Sequence, residues 1–335
     1  MKATHRVGYA PEDARHAVSV LRTRPGDRVL VAAAGCDDAI AHALAGAEVT
    51  LAHPDPIERA RVVLLRAGLE SAPDALPVLM GVEDGDRSAA LERAMSAMPS
   101  EAKASWHEHA SAARVGLWGA SALDASLRAF GQALRRDQPA LVSAIQGAAT
   151  LEDQRRAFAT LRTPAWRLRF ILAITRRWHK WWPRSGRATL ATFERVMHHH
   201  LARENPFVSW WFEGSSPSRT PWWLADRAAL AQALARVTVA PADALTVASD
   251  APPGSWTVLH VSGGWGGVPD GPRLLATFAR VGAPRARILW WAATDEEPTW
   301  PVALVDKIVP GRILPQHEAA DRSWMHGGIR LAERP

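Results

Sequence analysis

Two short turns near the start of the chain carry carboxylates in a pattern that could bind a ligand. Gly35 is followed by Asp37 and Asp38, and His53 is followed by Asp55. Each group comes directly after a short apolar run that is typical of a buried strand. Because parallel strands place their carboxyl ends at one edge of a sheet, both turns are expected at the same edge. The pattern therefore predicts a nucleoside site there.

The elements that position these turns are a strand, a glycine turn, a helix, a second strand and a second helix. The predicted strands are Arg28–Ala34 and Glu48–Ala52. The first predicted helix covers residues 39–45, with Asp37 or Asp38 as its N-cap, and the second covers residues 57–69. The unit lacks G-x-G-x-x-G, which favours a single nucleoside such as S-adenosylmethionine over a dinucleotide. The alternative is that Gly35 ends a strand in a βαβ unit that binds no ligand.

The composition is that of a soluble globular chain. Of its 335 residues, 47% are apolar and 22% are charged. No apolar run reaches the about 18 residues of a membrane-spanning helix, and Met1–Arg15 is too polar for a secretory signal. The single cysteine, Cys36, excludes an internal disulfide. The adjacent His198, His199 and His200 lack the spacing of helical metal ligands, so we expect no metal and a cytoplasmic protein.

Charge and tryptophan content suggest an anionic membrane as a partner. The net charge is +6 and the chain has 16 tryptophans, a residue that prefers membrane interfaces. In Trp166–Arg184, apolar residues and tryptophans alternate with cations, as in interfacial segments. The alternative is a partly buried helix whose arginines face water. We therefore predict peripheral attachment to the inner face of the membrane and do not expect nucleic acid as a partner.

The remaining patterns predict how the chain divides. Residues 1–70 form the first part of the nucleoside-binding domain, residues 71–235 a mostly helical insertion, residues 236–300 the second part, and residues 301–335 an irregular tail. The strands of the second part are predicted at Val237–Val239, Thr257–Val261 and Arg287–Trp291, with a crossover helix over residues 272–281. The Pro- and Trp-rich section that begins at Arg203 is predicted as a capping loop.

Five motifs, in order, resemble those of the betaine-lipid synthase family. The family comprises enzymes that transfer the 3-amino-3-carboxypropyl group of S-adenosylmethionine to diacylglycerol, together with relatives of unassigned substrate. The resemblance covers about residues 6–300. Its motifs are Glu12-Asp13, Pro25–Leu30, Gly35–Ala39, His53–Glu58 and Arg203–Phe207, the last followed by Trp210–Gly214 and Thr220–Leu224.

The resemblance implies an α/β fold, a Rossmann-like class I S-adenosylmethionine-dependent transferase sheet with a large helical insertion. It implies transfer to a hydroxyl of diacylglycerol or a similar acceptor, with methylthioadenosine released. The base candidates are Asp13, which we prefer, Glu12 and His260. The predicted donor-binding residues are Gly35, Asp37, Asp38, His53, Asp55, Asp243 and Ser262. The predicted substrate-binding residues are Tyr9, Arg203, Asn205 and Trp210, with Arg203 on the donor carboxylate and Asn205 on its ammonium.

Two departures from the family pattern leave other functions open. His53 stands where the family has the acid that binds the ribose hydroxyls, and Gly263 replaces a second acid. A neutral histidine accepts one hydrogen bond, so ribose binding is weakened or moves to Asp55. The alternatives are a methyltransferase that acts on a small molecule and a catalytically impaired, membrane-associated binding protein.

Overall fold

A computed structural model gives the conformation of most of the chain. It describes residues 13–32, 35–53, 56–114, 116–117, 122–178, 185–213, 221–261, 271–292, 309–311, 320–323 and 328–334. The strands are β1 (Arg28–Ala32), β2 (Glu48–Ala52), β3 (Val237–Val239), β4 (Trp256–Val261), β5 (Gly282–Ala292), β6 (Val309–Gly311) and β7 (Gly328–Glu333).

The helices alternate with these strands or lie between β2 and β3. They are α1 (Ala14–Leu21), α2 (Cys36–Leu44), α3 (Pro56–Ser71), α4 (Leu76–Met80), α5 (Arg87–Met95), α6 (Ser100–Glu108), α7 (Ala110–Ala113), α8 (Ala122–Asp137), α9 (Pro139–Gly147), α10 (Leu151–Leu161), α11 (Pro164–Trp178), α12 (Gly186–His199), α13 (Pro206–Glu213), α14 (Arg227–Ala235), α15 (Ala244–Asp250) and α16 (Gly271–Val281). Three single 3-10 turns lie at Pro73–Ala75, Ala202–Glu204 and Trp222–Leu224.

The strands of the described residues form one mixed sheet in the order β3-β2-β1-β4-β5-β7-β6. Strands β1 to β5 run parallel, whereas β7 is antiparallel to both of its neighbours. The order reverses between β1 and β4, which makes that point the topological switch of the sheet. The prediction of an α/β fold is confirmed.

Strand β1 is central because its side chains are apolar on both faces. Val29 and Val31 pack into the larger core with α1, α2 and α3, while Leu30 and Ala32 pack into a second core beneath α15 and α16. A parallel strand covered by helices on both sides needs such a continuous apolar run. The strands predicted at residues 48–52, 237–239, 257–261 and 287–291 are all present. Strand β5 begins at Gly282, before its predicted start at residue 287.

Every regular element that the structure describes between β2 and β3 is an α-helix or a 3-10 turn. The core of this region is a group of ring-to-ring contacts between four helices. Phe170 and Phe193 have centroids 5.4 Å apart, and Trp166 lies 5.7 Å from Phe158. Phe193 also contacts Phe212 on α13 at 6.2 Å. Such aromatic pairs hold α10, α11, α12 and α13 together.

Helix α11 follows the alternative interpretation of the Trp166–Arg184 segment in the part that can be described. Trp166, Phe170 and Ile174 are 6%, 0% and 1% exposed, so these three side chains face the protein core, whereas Leu168 is 57% exposed. Arg167 forms a two-armed ion pair with Glu194 on α12, at 2.9 and 3.0 Å. Trp166 is thus buried rather than exposed, while the side chains of residues 176–178 and all of residues 179–184 lie outside the described structure, so the predicted membrane attachment stays a prediction. Among the described helices, none is long and apolar enough to cross a membrane.

Three local predictions are wrong. The segment predicted as a connector or short strand at Leu76–Val82 forms α4, because Pro77 suits the first turn of a helix and Gly81 ends it with a positive φ. The predicted loop after Asn205 contains α13, which also begins at a proline. The tail predicted as irregular contributes β7, whose Ile329 and Ala332 are buried in the two cores.

Gln154 joins three parts of the helical insertion through a fully buried side chain. Its amide nitrogen donates to the carbonyl oxygens of Met197 at 2.7 Å and His200 at 2.8 Å. Its amide oxygen accepts from the Ala202 N–H at 2.6 Å. These bonds satisfy backbone groups that the end of α12 leaves without helical partners.

Gln154→Ala should lower the free energy of unfolding by about 3 kcal/mol or more, because it leaves buried backbone groups without hydrogen bonds. The matched control is Glu152→Ala on the same helix, whose ion pair with Arg156 is exposed and should cost less than about 0.5 kcal/mol. Urea denaturation of the three proteins measures both effects. Equal stability of the Gln154 and Glu152 variants would contradict the structural role of Gln154.

Candidate functional site

The carboxyl edge of the sheet lies near the start of both α1 and α2. Arg287, early in β5, donates to the carbonyl oxygen of Leu21 at 2.6 Å, which fixes the end of α1 at the amino edge. Asp13 at the N-terminus of α1 accepts a hydrogen bond from Arg322, which shortly precedes β7, and β7 begins opposite Ala292 at the carboxyl end of β5; Asp13 therefore lies toward the carboxyl edge. Helix α2 begins just after β1 at that same edge.

The turn after β1 brings two buried carboxylates to this edge. Gly35 is the N-cap of α2 and has φ of +119°, a conformation that favours glycine. Asp37 and Asp38, expected as N-caps, instead lie in the first turn of the helix and are 6% and 1% exposed. The indole N–H of Trp223 donates to Asp37 Oδ1 at 2.5 Å. Both predicted donor-binding aspartates therefore share one edge, where their charges complement the α2 dipole.

A second buried charged pair lies beside this turn. Glu58 and Arg61, in the first two turns of α3, form an ion pair at 3.4 Å with both side chains buried. Burial, with the charges of Asp37 and Glu58, raises the pKa of the Cys36 thiol well above its ordinary value, although Arg61 opposes this. The single cysteine is therefore a neutral thiol rather than a nucleophile.

Two further predicted donor-binding residues have local structural contacts. His53 follows β2 and is half-buried, and its carbonyl oxygen accepts from Arg59 at 2.5 Å. Asp243 is the N-cap of α15 and accepts from the N–H groups of Leu245 and Thr246 at 2.9 and 3.0 Å. The hydrogen bonds from Thr246 hold the pKa of Asp243 below its usual value, although burial opposes them. Helix capping accounts for the contacts of Asp243. Asp55 and Ser262 lie outside the described residues.

Asp13, the preferred base candidate, is committed to an ion pair. Arg322 donates to Asp13 Oδ2 through Nε at 2.7 Å and to Oδ1 through Nη2 at 2.9 Å. Burial alone would raise the pKa of Asp13, but the hydrogen bonds and charge of Arg322 outweigh it and hold the pKa below its usual value. A carboxylate held by both oxygens is a poor proton acceptor, so the geometry does not favour Asp13 as the base.

Asp321, the residue before Arg322, has a raised pKa, whereas the pKa of Asp13 is lowered. Asp321 is 5% exposed, accepts from the Ser323 N–H at 2.9 Å and lies 3.9 Å from the Arg195 guanidinium. Burial and the nearby charge of Asp13 raise the pKa of Asp321 to about 7, against the smaller opposing effects of Arg195 and Ser323. A carboxyl group that titrates near neutral pH is suited to general base or acid chemistry.

The predicted substrate-binding pair Arg203 and Asn205 points in two directions. Asn205 is 1% exposed; its oxygen accepts from the Phe207 N–H at 2.9 Å, and its amide nitrogen donates to the Arg322 carbonyl at 2.9 Å. It therefore caps α13 and fixes the Arg322 segment. Arg203 instead contacts the Ala149 carbonyl at 3.4 Å and Glu204 at 3.3 Å, toward the α9–α10 connection. The structure does not bring Arg203 to the carboxyl edge.

The other predicted residues of this group cannot be placed. Tyr9 and Glu12 lie outside the described residues, and so does the side chain of Trp210. No cluster of three or more histidine, cysteine or acidic ligands suited to a metal occurs among the residues that the structure describes.

His260, the third base candidate, lies inside a hydrogen-bonded chain beneath α2. Trp291 Nε1 donates to His260 Nε2 at 2.9 Å, and His260 Nδ1 lies 3.0 Å from His42 Nε2. His42 Nδ1 in turn lies 2.9 Å from the Thr23 hydroxyl. Because indole can only donate, the network assigns the proton of neutral His260 to Nδ1 and that of His42 to its own Nδ1.

Both histidines are held in the neutral form. Burial, together with the charge of Arg287, lowers the pKa of His42 to about 3. Burial and the neighbouring His42 lower the pKa of His260 well below its ordinary value. With both ring nitrogens bonded and 1% of the residue exposed, His260 cannot accept a proton from a substrate, so this expectation is corrected.

Sequence reasoning missed Asp321, Arg322 and Trp223 as parts of the site. Asp321 and Arg322 belong to the segment predicted as an irregular tail, and Trp223 was noted only as one member of a Trp-rich section. The sequence offered one local indication, the three adjacent polar residues Asp321, Arg322 and Ser323. The structure shows that Asp321 and Ser323 are buried. Such a triplet has meaning only once its distant partners are known.

Stability should fall when the pH is lowered from about 7 to 5, because His42 and His260 bind no proton when folded but each takes one up on unfolding below about pH 6.5. Asp321 has the opposite effect on stability. It is protonated in the folded state up to about pH 7 and releases that proton on unfolding above about pH 4, so its contribution to stability grows as the pH is lowered. Asp321→Asn removes this compensation and should steepen the loss. Urea denaturation at several pH values measures both slopes.

The control for this measurement is Asp74→Asn, a change to an exposed carboxylate whose ion pair with Arg227 lies at the surface. Its pH dependence should match that of the unmodified protein. An Asp321 variant with the same slope as the Asp74 variant would show that Asp321 titrates in its ordinary range.

Comparisons with known proteins give this site no name. Neither a comparison with protein-family models nor a search of curated proteins finds a match to the chain.

Proposed function

We propose that the protein is an S-adenosylmethionine-dependent transferase, with a Rossmann-like class I sheet, that moves the 3-amino-3-carboxypropyl group to a hydroxyl of diacylglycerol or a similar acceptor. The observation that carries the proposal is the pair of buried carboxylates, Asp37 and Asp38, in the first turn of α2 beside the switch point. The order β3-β2-β1-β4-β5 supports a doubly wound nucleoside-binding sheet.

The charge at this position discriminates between kinds of nucleoside ligand. In dinucleotide sites the first helix N-terminus faces a pyrophosphate, which needs an unopposed positive dipole. Here two carboxylates occupy the first turn, so a phosphate would be repelled. S-adenosylmethionine carries a sulfonium and an ammonium cation and no phosphate. The residues present therefore suit this donor, with Asp37 and Asp38 as the groups that would hold its cationic portion.

The proposed chemistry is an in-line displacement at the γ-carbon of the donor. The acceptor oxygen forms the new C–O bond, the C–S bond breaks, and its electron pair leaves with neutral methylthioadenosine. The sulfonium is already a good leaving group, so the protein must align the two reactants and accept the hydroxyl proton. We assign the proton to Asp321, because its pKa of about 7 leaves a large fraction ionised at neutral pH.

Arg322 and Asn205 act in this scheme as positioning residues for Asp321. Arg322 ties the segment to α1 through Asp13, and Asn205 holds the Arg322 carbonyl from the start of α13. Asp321 and Asp13 thus flank one arginine with different tasks. Asp13 stays ionised and structural, and Asp321 exchanges the proton.

Asp38→Asn should weaken S-adenosylmethionine binding about tenfold or more, because it removes a buried negative charge that faces a cationic ligand. Binding of adenosine, which has no charge, should change by less than about twofold. Calorimetric titration with both ligands measures the difference, and Asp74→Asn is the control. Equal losses for the two ligands would mean that Asp38 acts through the fold, and no binding of either ligand would refute the proposed donor.

Asp321→Asn should lower the turnover rate by about a hundredfold or more while donor affinity is kept, as expected when a general base is removed. In the unmodified protein the rate should rise with pH through about 7 and then level off, as the carboxyl group loses its proton. Labelled S-adenosylmethionine with total lipid provides the assay. Methylthioadenosine with label in the lipid phase supports the proposal; S-adenosylhomocysteine would indicate a methyltransferase, and no product a binding protein.

A further inference from the structure

A cavity at the amino edge of the sheet, opposite the candidate functional site, is rich in arginine. Its volume is about 590 Å³, within the usual range for small-molecule pockets. The end of α1, the turn before β1 and the beginnings of β4 and β5 surround it. Its lining residues are Arg22, Arg24, Asp27, Thr257, Pro284, Arg285, Arg287 and Glu333.

A bulge in β5 brings part of this lining into the cavity. Trp256 and Val258 of β4 pair with Gly282 and Arg287 of β5, so β5 has three more residues than β4 between the two pairs. The extra length carries Pro284 and Arg285. Bulges of this kind redirect side chains out of the regular sheet, often beside functional sites.

Two of the arginines have a backbone conformation that favours glycine. Arg22 has φ of +50° and ends α1, where glycine is the usual residue, and Arg285 has φ of +61° in the bulge. They are the two non-glycine residues with positive φ among those that the structure describes. Both line this one cavity. Backbone strain of this kind clusters at functional sites, which motivates a functional interpretation of this cavity.

The backbone around these arginines is fixed before any ligand binds. Arg287 donates to the carbonyl oxygens of Leu21 and Arg22 and to Asp27 Oδ1, so its guanidinium is a structural part of the cavity floor. Asp27 Oδ2 accepts from the Arg24 N–H at 2.9 Å, which fixes the next arginine.

Arg285 is fixed from the neighbouring strand, because its N–H donates to the Arg334 carbonyl at 3.1 Å. Its guanidinium is 87% exposed, and its nearest carboxylate, Glu333, lies 3.9 Å away at the limit of an ion pair. The side chains of Arg22 and Arg24 are exposed and have no ion pair with any residue in the described ranges. Four arginines face two carboxylates, which leaves an excess of two positive charges.

We propose that this cavity binds a small anion that carries two or more phosphate groups, held by the guanidinium groups of Arg22, Arg24 and Arg285. Guanidinium groups match phosphate oxygens with paired hydrogen bonds, and several arginines around one concave site need more than one phosphate to satisfy them. The cavity is large enough for a polyphosphate chain or a nucleoside polyphosphate, and both present the same chemistry. It is separated from the proposed donor site by the length of the strands, and the proposal does not depend on that site.

Calorimetric titration with inorganic tripolyphosphate at pH 7 and about 0.15 M salt tests this proposal. The unmodified protein should bind one equivalent, and Arg22→Gly and Arg285→Gly should each weaken binding about tenfold by removing charge-assisted hydrogen bonds. Because glycine adopts positive φ without strain, both variants should fold and keep their thermal midpoints. Arg135→Gln, which removes one exposed charge on α8 outside the cavity, should bind as the unmodified protein does.

Two further probes identify what is recognised. Orthophosphate should bind at least tenfold more weakly than tripolyphosphate, and adenosine triphosphate about as tightly, if phosphates alone are recognised. No saturable binding of tripolyphosphate, or an equal loss in the Arg135 variant, would overturn the proposal. Binding of adenosine triphosphate without binding of tripolyphosphate would also overturn it, because the base would then be the recognised group.

Discussion

The two-armed ion pair between Asp13 and Arg322 is the contact on which the candidate site depends. It joins positions 309 residues apart in the sequence and closes the carboxyl edge of the sheet. A buried carboxylate without its cation would cost several kcal/mol, so this pairing is required rather than optional. Burial is the main reason that the pKa of Asp321 is raised, and the charge of Asp13, which this contact holds nearby, raises it further. The ion pair therefore fixes the position of the segment and contributes to the raised pKa of its carboxyl group.

The carboxyl and amino edges of the sheet differ in the charge of the side chains that lie there. At the carboxyl edge the buried groups are mostly acids, and each is held by an indole, an arginine or a helix N-terminus. At the amino edge exposed arginines outnumber acids. Between the edges, the chain of Thr23, His42, His260 and Trp291 crosses the interior in neutral form. The two proposed ligands, one cationic and one anionic, would therefore bind at opposite edges of the sheet.

Local patterns were enough to predict the parts of the fold that local physics determines. Strands β1, β2 and β4 follow from apolar runs between turn residues, and the glycine turn before Asp37 follows from the break after β1. Long-range contacts were not predictable in this way. His260 looked like a titratable residue at a strand end, but its partner His42 comes from 218 positions earlier and fixes it as neutral. Asp321 and the strand β7 gain their roles from contacts that no window of sequence contains.

The pairing of β1 with β4 has a consequence for how the protein folds. Arg28 and Thr257, hydrogen-bonded neighbours at the start of these strands, are 229 positions apart, with the whole helical insertion between them. Contacts of such separation form slowly, since a long loop must close before they are gained. The aromatic contacts within the insertion, such as that between Phe170 and Phe193, join helices that follow one another in the sequence and can therefore form earlier. The switch point between β1 and β4 is therefore among the last features of the molecule to form, and a newly made chain has its helices before it has the sheet edge at which we propose that a nucleoside binds.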